Sequence, residues 1–140
     1  KELAYKTTGL MFTGASHTLR GYEMPYEMND GLLYAEEIAL YDFSYIDLLV
    51  LSACGTALGT ITNDGVYDIQ SAFKEAGVKT IVSTLWSIND KAAAEFMKIF
   101  YTYMFEGDTK YEAFEKARRA MIESEDYNDP LYWAPFIMLD

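Results

Sequence analysis

Leu48-Leu49-Val50-Leu51-Ser52-Ala53-Cys54-Gly55-Thr56 is the stretch from which this chain is best read. Its apolar run is continuous and short, bounded by Asp47 before it and small residues after it. Such a run fits a strand covered on both faces, as in a parallel sheet. A second run of this kind is Thr80-Ile81-Val82-Ser83-Thr84-Leu85. Between the two, Val66, Ile69, Phe73 and Ala76 fall on one helical face, and Gly77 supplies the stop.

Working outward, Ala93, Phe96, Met97, Phe100, Tyr101 and Met104 recur at helical steps and Gly107 ends the run. Thr109 and Glu112 have the spacing of a capping box, opening a helix with Phe114, Ala117 and Met121 on its inner face. Glu112–Lys116 and Glu115–Arg119 are candidate i,i+4 ion pairs on that helix. After Asp129-Pro130, Phe136-Ile137-Met138-Leu139 reads as a last strand. Upstream, Gly9 to Thr13 predicts a short strand, followed by a long loop to Asp30-Gly31 and a short helix from Ala35 to Tyr41 that opens with Glu36-Glu37. The order strand, helix, strand, two helices, strand predicts an α/β layered sandwich with a mostly parallel sheet.

The 140 residues suffice for one domain or most of one, and a hydrophobic content of 51% supports a packed core. The lone cysteine excludes an internal disulfide and any site built on several thiolates, so neither zinc nor iron–sulfur binding of that kind is expected, and no cofactor is. No apolar run is long enough to span a bilayer, and the reading is of a soluble, cytoplasmic domain without a membrane role. A net charge of −11 repels phosphate backbones, which argues against nucleic acid as a partner. No Lys or Arg lies between Arg20 and Lys74, whereas acids recur throughout that span. Solvated acidic loops are the ordinary meaning of such a run; attraction for a basic peptide is the functional one.

Catalytic groups in parallel sheets gather at the carboxyl ends of strands. Two such ends stand out: Ser52 to Thr56, and Trp86-Ser87-Ile88-Asn89-Asp90. Cys54 sits just past its strand among small residues, and its own backbone N–H is a candidate oxyanion donor. A lone cysteine is more often a buried small hydrophobe, and position alone leaves both readings open. Gly55-Thr56-Ala57-Leu58-Gly59 lacks the Gly-Lys-Ser/Thr ending of a phosphate loop, and its glycine spacing is wrong for a dinucleotide turn. His17, the only histidine, lies in the polar segment Ser16-His17-Thr18 and reads as a surface-loop residue. Tyr132, Trp133 and Phe136 read as core and rim aromatics.

Taken together, Leu48–Thr56, the helix from Asp68 to Gly77, Ser83–Asp90, Phe96–Tyr103 and Asp129–Phe136 resemble the CHAT domains, relatives of caspases and separases. Gly9–Gly14 and Asp30–Ala39 are similar to the stretch that precedes the nucleophile strand in that family. The resemblance implies a caspase-like three-layer sandwich, incomplete on its N-terminal side, with residues 1–140 forming the C-terminal portion of one peptidase domain. It also implies a Cys–His dyad with Cys54 as nucleophile. The family's histidine belongs to an Ala-Thr-His-Gly-like turn that has no counterpart here, and His17 falls after that position. The histidine is therefore expected from an upstream segment or a second chain, in a protein that, as in other family members, carries tetratricopeptide repeats. Ala57 and Pro135 are mild departures from the family pattern.

The implied function is cysteine endopeptidase activity on a protein or peptide substrate, with Trp86 and Asp90 shaping the substrate pocket. Asp90 is equally suited to the first turn of a helix. The acidic stretch suggests cleavage beside a basic residue. The alternative is a caspase-like binding or scaffolding module without the histidine; a third possibility has His17 reach Cys54 through an unexpected loop path.

Overall fold

The computed structural model describes residues 9–12, 15–21, 30–51 and 65–140. Its elements are β1 (Gly9–Met11), α1 (Ala15–Leu19), β2 (Leu32–Tyr34), α2 (Ala35–Ile38), β3 (Leu48–Leu51), α3 (Gly65–Glu75), β4 (Thr80–Thr84), α4 (Asp90–Phe105), α5 (Lys110–Glu123), α6 (Pro130–Trp133) and β5 (Phe136–Leu139). The fold is mixed α/β, and it divides into two compact units, Lys1–Asp47 with Gly55–Lys79, and Leu48–Cys54 with Thr80–Asp140.

In the first unit β1 and β2 pair antiparallel, Leu10 opposite Leu33. Asp30 Oδ1 accepts from the Leu32 N–H at 2.9 Å, which fixes the entry into β2. Glu37 Oε2 accepts from the Tyr34 N–H at 2.8 Å, so the acid expected to favour the helix start does so as a cap. Ala35 and Ile38 of α2 are buried, as are Ile69, Ala72 and Phe73 of α3, and the two helices pack together. The predicted long loop contains α1, so His17 is helical and not a loop residue. Burial of Ala15, whose N–H bonds to Phe12 O at 3.1 Å, nucleates that turn against the weak helix preference of Ser-His-Thr.

α3 ends in a Schellman motif: the Gly77 N–H reaches Lys74 O and the Val78 N–H reaches Phe73 O, both at 3.0 Å. Gly77 has φ +100°, and a Cβ there would lie 3.0 Å from the Cα and N of Ser44. Gly107 closes α4 in the same way with φ +106°, but a Cβ there meets nothing within 4 Å.

The second unit is a three-stranded sheet in the order β3-β4-β5, covered by the hairpin of α4 and α5. β3 and β4 are parallel, with Leu51 opposite Ser83; β4 and β5 are antiparallel, with Thr84 opposite Phe136. The expected mostly parallel sheet is thus mixed. Among the described residues one helix, α3, lies between β3 and β4, as suits parallel strands, whereas the α4–α5 hairpin crosses twice and reverses the direction. The first four residues of β4 are buried, while β3 is half-buried at every position.

The core of this unit is aromatic. Phe96 stacks on Phe136 with ring centres 3.8 Å apart, and Phe114 meets Phe96 edge-on at 5.4 Å and Phe100 at 6.3 Å. All four are at most 2% exposed, and burial of each contributes about 1.5–3 kcal/mol. Ala92, Phe96 and Phe100 are the innermost residues of α4, so the buried stripe passes through Ala92 rather than Ala93, and Tyr101 of the expected face is exposed.

The capping box of α5 forms as expected: Thr109 Oγ1 accepts from the Glu112 N–H, and Glu112 Oε2 accepts from the Thr109 N–H at 2.9 Å. These bonds hold the Glu112 carboxyl below its usual range, the Thr109 N–H contributing most. With Glu112 so engaged, Lys116 pairs instead with Asp108 at 2.6 Å, and its ammonium lies 4.8 Å from the Tyr103 ring centre. Glu115 pairs with Arg118 at 3.1 Å rather than with Arg119.

Gly107→Ala is expected to cost about 1–2 kcal/mol, from backbone strain alone. Gly77→Ala adds the clash with Ser44 and is expected to cost about 2–5 kcal/mol in urea unfolding. For Glu112, a folded-state pKa below the unfolded one means stability that is present at neutral pH and lost as pH falls through the folded value. Glu112→Gln should therefore be less stable than wild type at neutral pH and equal to it in strong acid, as read from urea midpoints across pH.

Candidate active site

Because β3 and β4 are parallel, their carboxyl ends lie at the same edge of the sheet. β3 ends at Leu51, and Cys54, three residues on, lies outside the described residues, together with the rest of 52–64. β4 ends at Thr84 and leads into Leu85–Asp90. This turn is well defined by its bonds. Leu85 donates its N–H to Pro135 O at 3.0 Å, carrying the β4–β5 ladder one residue beyond β5. Asn89 takes extended backbone angles and its Oδ1 accepts from the Lys91 N–H at 2.8 Å, capping α4.

Trp86 is 44% exposed at this strand end. Asp90 is the first residue of α4, one after the cap, and is exposed. Its position suits the positive end of the helix dipole. Trp86 and Asp90 thus share one turn. His17 belongs to α1.

The antiparallel course of β5 brings to this end residues that the sequence reading placed in the core and at its rim. Phe136, where β5 begins, stands opposite Thr84, so the segment entering β5 meets the same sheet edge. That segment is well built: Asp129 Oδ1 accepts from the Leu131 N–H at 2.9 Å, Pro130 occupies the first turn of α6, and Trp133 Nε1 donates to Asn128 O at 3.0 Å. Tyr127 and Tyr132 meet edge-on at 5.7 Å. The hairpin of the two long helices α4 and α5 returns the chain to the end that it left.

Other candidate sites are of a different kind. A hollow of about 390 Å³ is lined by Tyr111, Phe114, Glu115, Arg118 and the β5 residues Ile137 and Met138, with Asp140 beyond them. It is lined by α5 and by β5. Among the described residues no group of three or more His, Cys, Asp or Glu converges as a metal site, and no helix is long and apolar enough to cross a membrane.

Residues 4–140 match the family described as the CHAT domain. Tetratricopeptide repeat protein 28 of Mus musculus is 28% identical over 94 residues, which is 67% of this chain and 4% of that protein. Its Homo sapiens counterpart is 27% identical over the same length, again 4% of the protein. The match therefore spans a small part of these relatives. No solved structure matches the chain.

The Asn89 cap generates a direct test. Asn89→Ala should cost about 1 kcal/mol, and Asn89→Asp, which keeps the accepting oxygen, should cost much less. Thermal unfolding of the two variants beside wild type measures the difference.

Proposed function

The chain belongs to the CHAT domain family, and on that premise we propose that it is the nucleophile-bearing, C-terminal portion of a caspase-like cysteine peptidase domain, with Cys54 as the attacking group. The observation that supports this most is the parallel pairing of β3 and β4, with Leu51 opposite Ser83. It brings the strand that leads toward Cys54 to the sheet edge shared by Trp86 and Asp90, where parallel sheets carry their chemistry. We read residues 1–140 as one part of a single domain of three-layer sandwich type.

In this reading the Cys54 thiolate attacks a peptide carbonyl and its own backbone N–H faces the developing oxyanion. The proton passes to an imidazole and from it to the departing amine, leaving a thioester that water hydrolyses. A free thiol with pKa near 8.5 is only a few per cent ionised at neutral pH. The imidazole thus supplies about 10²–10⁴-fold in rate. We assign it to residues outside Lys1–Asp140, because His17 does not match the family's His-Gly turn. Trp86 offers an apolar wall to the substrate and Asp90 a negative charge, which suits a substrate with a basic residue. The names of the mouse and human relatives support tetratricopeptide repeats in the full-length protein, and in this reading those repeats select the substrate.

The test compares this chain with a longer product of the same gene. The isolated chain should be alkylated by iodoacetamide with a pH midpoint at or above the free-thiol value, unchanged by His17→Ala. The longer protein should show a midpoint lowered by at least one pH unit and cleave a peptide library, with cleavage abolished by Cys54→Ala. A longer protein with an unshifted midpoint and no cleavage would establish a non-catalytic scaffold instead.

A further inference from the structure

The turn between α2 and β3 carries apolar side chains into solvent on a backbone that is firmly held. Leu40 is 84% exposed, Tyr45 77% and Tyr41 56%. The helical bonding of α2 runs on to them, with the Leu40 N–H on Glu37 O at 3.0 Å and the Tyr41 N–H on Ile38 O at 3.1 Å. Beyond, Phe43 donates its N–H to Ala76 O at 2.6 Å, Lys79 donates to Ile46 O at 3.1 Å, and Ser44 donates its N–H to Asp42 Oδ1 at 3.0 Å. Phe43 anchors the turn on Phe73 with ring centres 5.9 Å apart. It also links the two outer tyrosines, Tyr41 stacked at 5.6 Å and Tyr45 edge-on at 6.5 Å.

Exposed apolar groups on mobile loops cost little and mean little. Here three are presented together on a turn tied to α3, which is the preorganised form that binding surfaces take. Tyrosine provides much contact area for little lost entropy and is enriched where partners bind tightly.

The charges around this ridge indicate what it would meet. Glu36 and Glu37 precede Leu40 and Tyr41 by four residues each, and so share their helical faces. All four are exposed or nearly so, with Asp42 and Asp47 exposed on the same turn. Asp42 is held charged by its bonds from Ser44, which keep its carboxyl below the usual range. Among the described residues, the bases bonded to this part of the chain are Lys79, which pairs with Asp47 at 3.5 Å, and Lys74, which donates to Lys79 O. The described charges flanking Leu40 and Tyr41 are therefore carboxylates.

We propose that the Leu40–Tyr41–Tyr45 ridge is a docking surface for a partner protein's peptide segment that carries Arg or Lys beside apolar residues. Arg guanidinium groups would lie on the tyrosine faces while facing the flanking carboxylates, and an apolar side chain would cover Leu40. An acidic segment or an anionic membrane surface is repelled by the same charges.

The experiment selects a displayed library of random dodecamer peptides on the 140-residue chain. Enriched peptides should combine Arg or Lys with Leu or aromatic residues. In fluorescence anisotropy the best of them should bind Tyr41→Ser/Tyr45→Ser at least tenfold more weakly than wild type, and lose several-fold in affinity at 0.5 M NaCl. Should that variant melt early, Leu40→Ser, at the most exposed of the three positions, gives the same readout. The proposal is overturned by enriched peptides that are acidic or uncharged, by a selection without enrichment, or by peptides that bind the variants as tightly as wild type. Sedimentation showing that the chain dimerises through these tyrosines would also overturn it, since the occupant would then be a second copy. None of these outcomes depends on Cys54.

Discussion

β4 is the strand on which the second unit depends. It pairs with β3 on one side and β5 on the other, and its first four residues are buried. Val82 belongs to the same core as Phe96, Phe114 and Phe136, so the central strand and the helix hairpin share one packed interior. Its N-terminal residue is held as well, Thr80 donating its hydroxyl to Asp140 at 2.7 Å and accepting from Lys110 at 3.2 Å. A strand constrained on both edges and at its start presents its other end, Thr84 to Asp90, in a defined place. That rigidity is what the substrate-binding role proposed for this turn requires.

The direction of β5 has the larger functional consequence. Because the α4–α5 hairpin returns the chain, Asp129–Pro135 closes on the end of β4 and not on its beginning. The edge shared by Trp86 and Asp90 thereby gains α6, capped by Asp129 and pinned through the Trp133 indole. The two family motifs farthest apart in the second half of the chain meet there for a topological reason. The exposed tyrosines of the α2–β3 turn belong to a different part of the chain, and the role proposed for them is binding rather than chemistry.

Much of this was legible in local sequence. Gly77 and Gly107 stop their helices because the left-handed C′ position excludes a Cβ, and both form the expected motif. Thr109 and Glu112 cap α5 because their spacing lets each reach the other's N–H. The strands at Leu48–Leu51 and Phe136–Leu139 stand where their apolar runs lie. Other features escaped. A short helix holds His17 because Ala15 is buried, a fact of packing that Ser-His-Thr does not announce. Lys116 turns to Asp108 because Glu112 is already committed to the cap. Of the candidate site, Trp86 and Asp90 lie at the strand end expected for them, whereas Cys54 lies outside the described residues.

By itself, then, the sequence determined what is decided within a turn or two of backbone: element type, helix ends, caps, and the family whose motifs are spread from end to end. Tertiary structure alone decided the antiparallel course of β5, the choice of Ala92 over Ala93 as the buried position of α4, and the ion-pair partners of α5. Each of these compares alternatives of nearly equal local energy, and the contacts that choose among them come from residues distant in the chain.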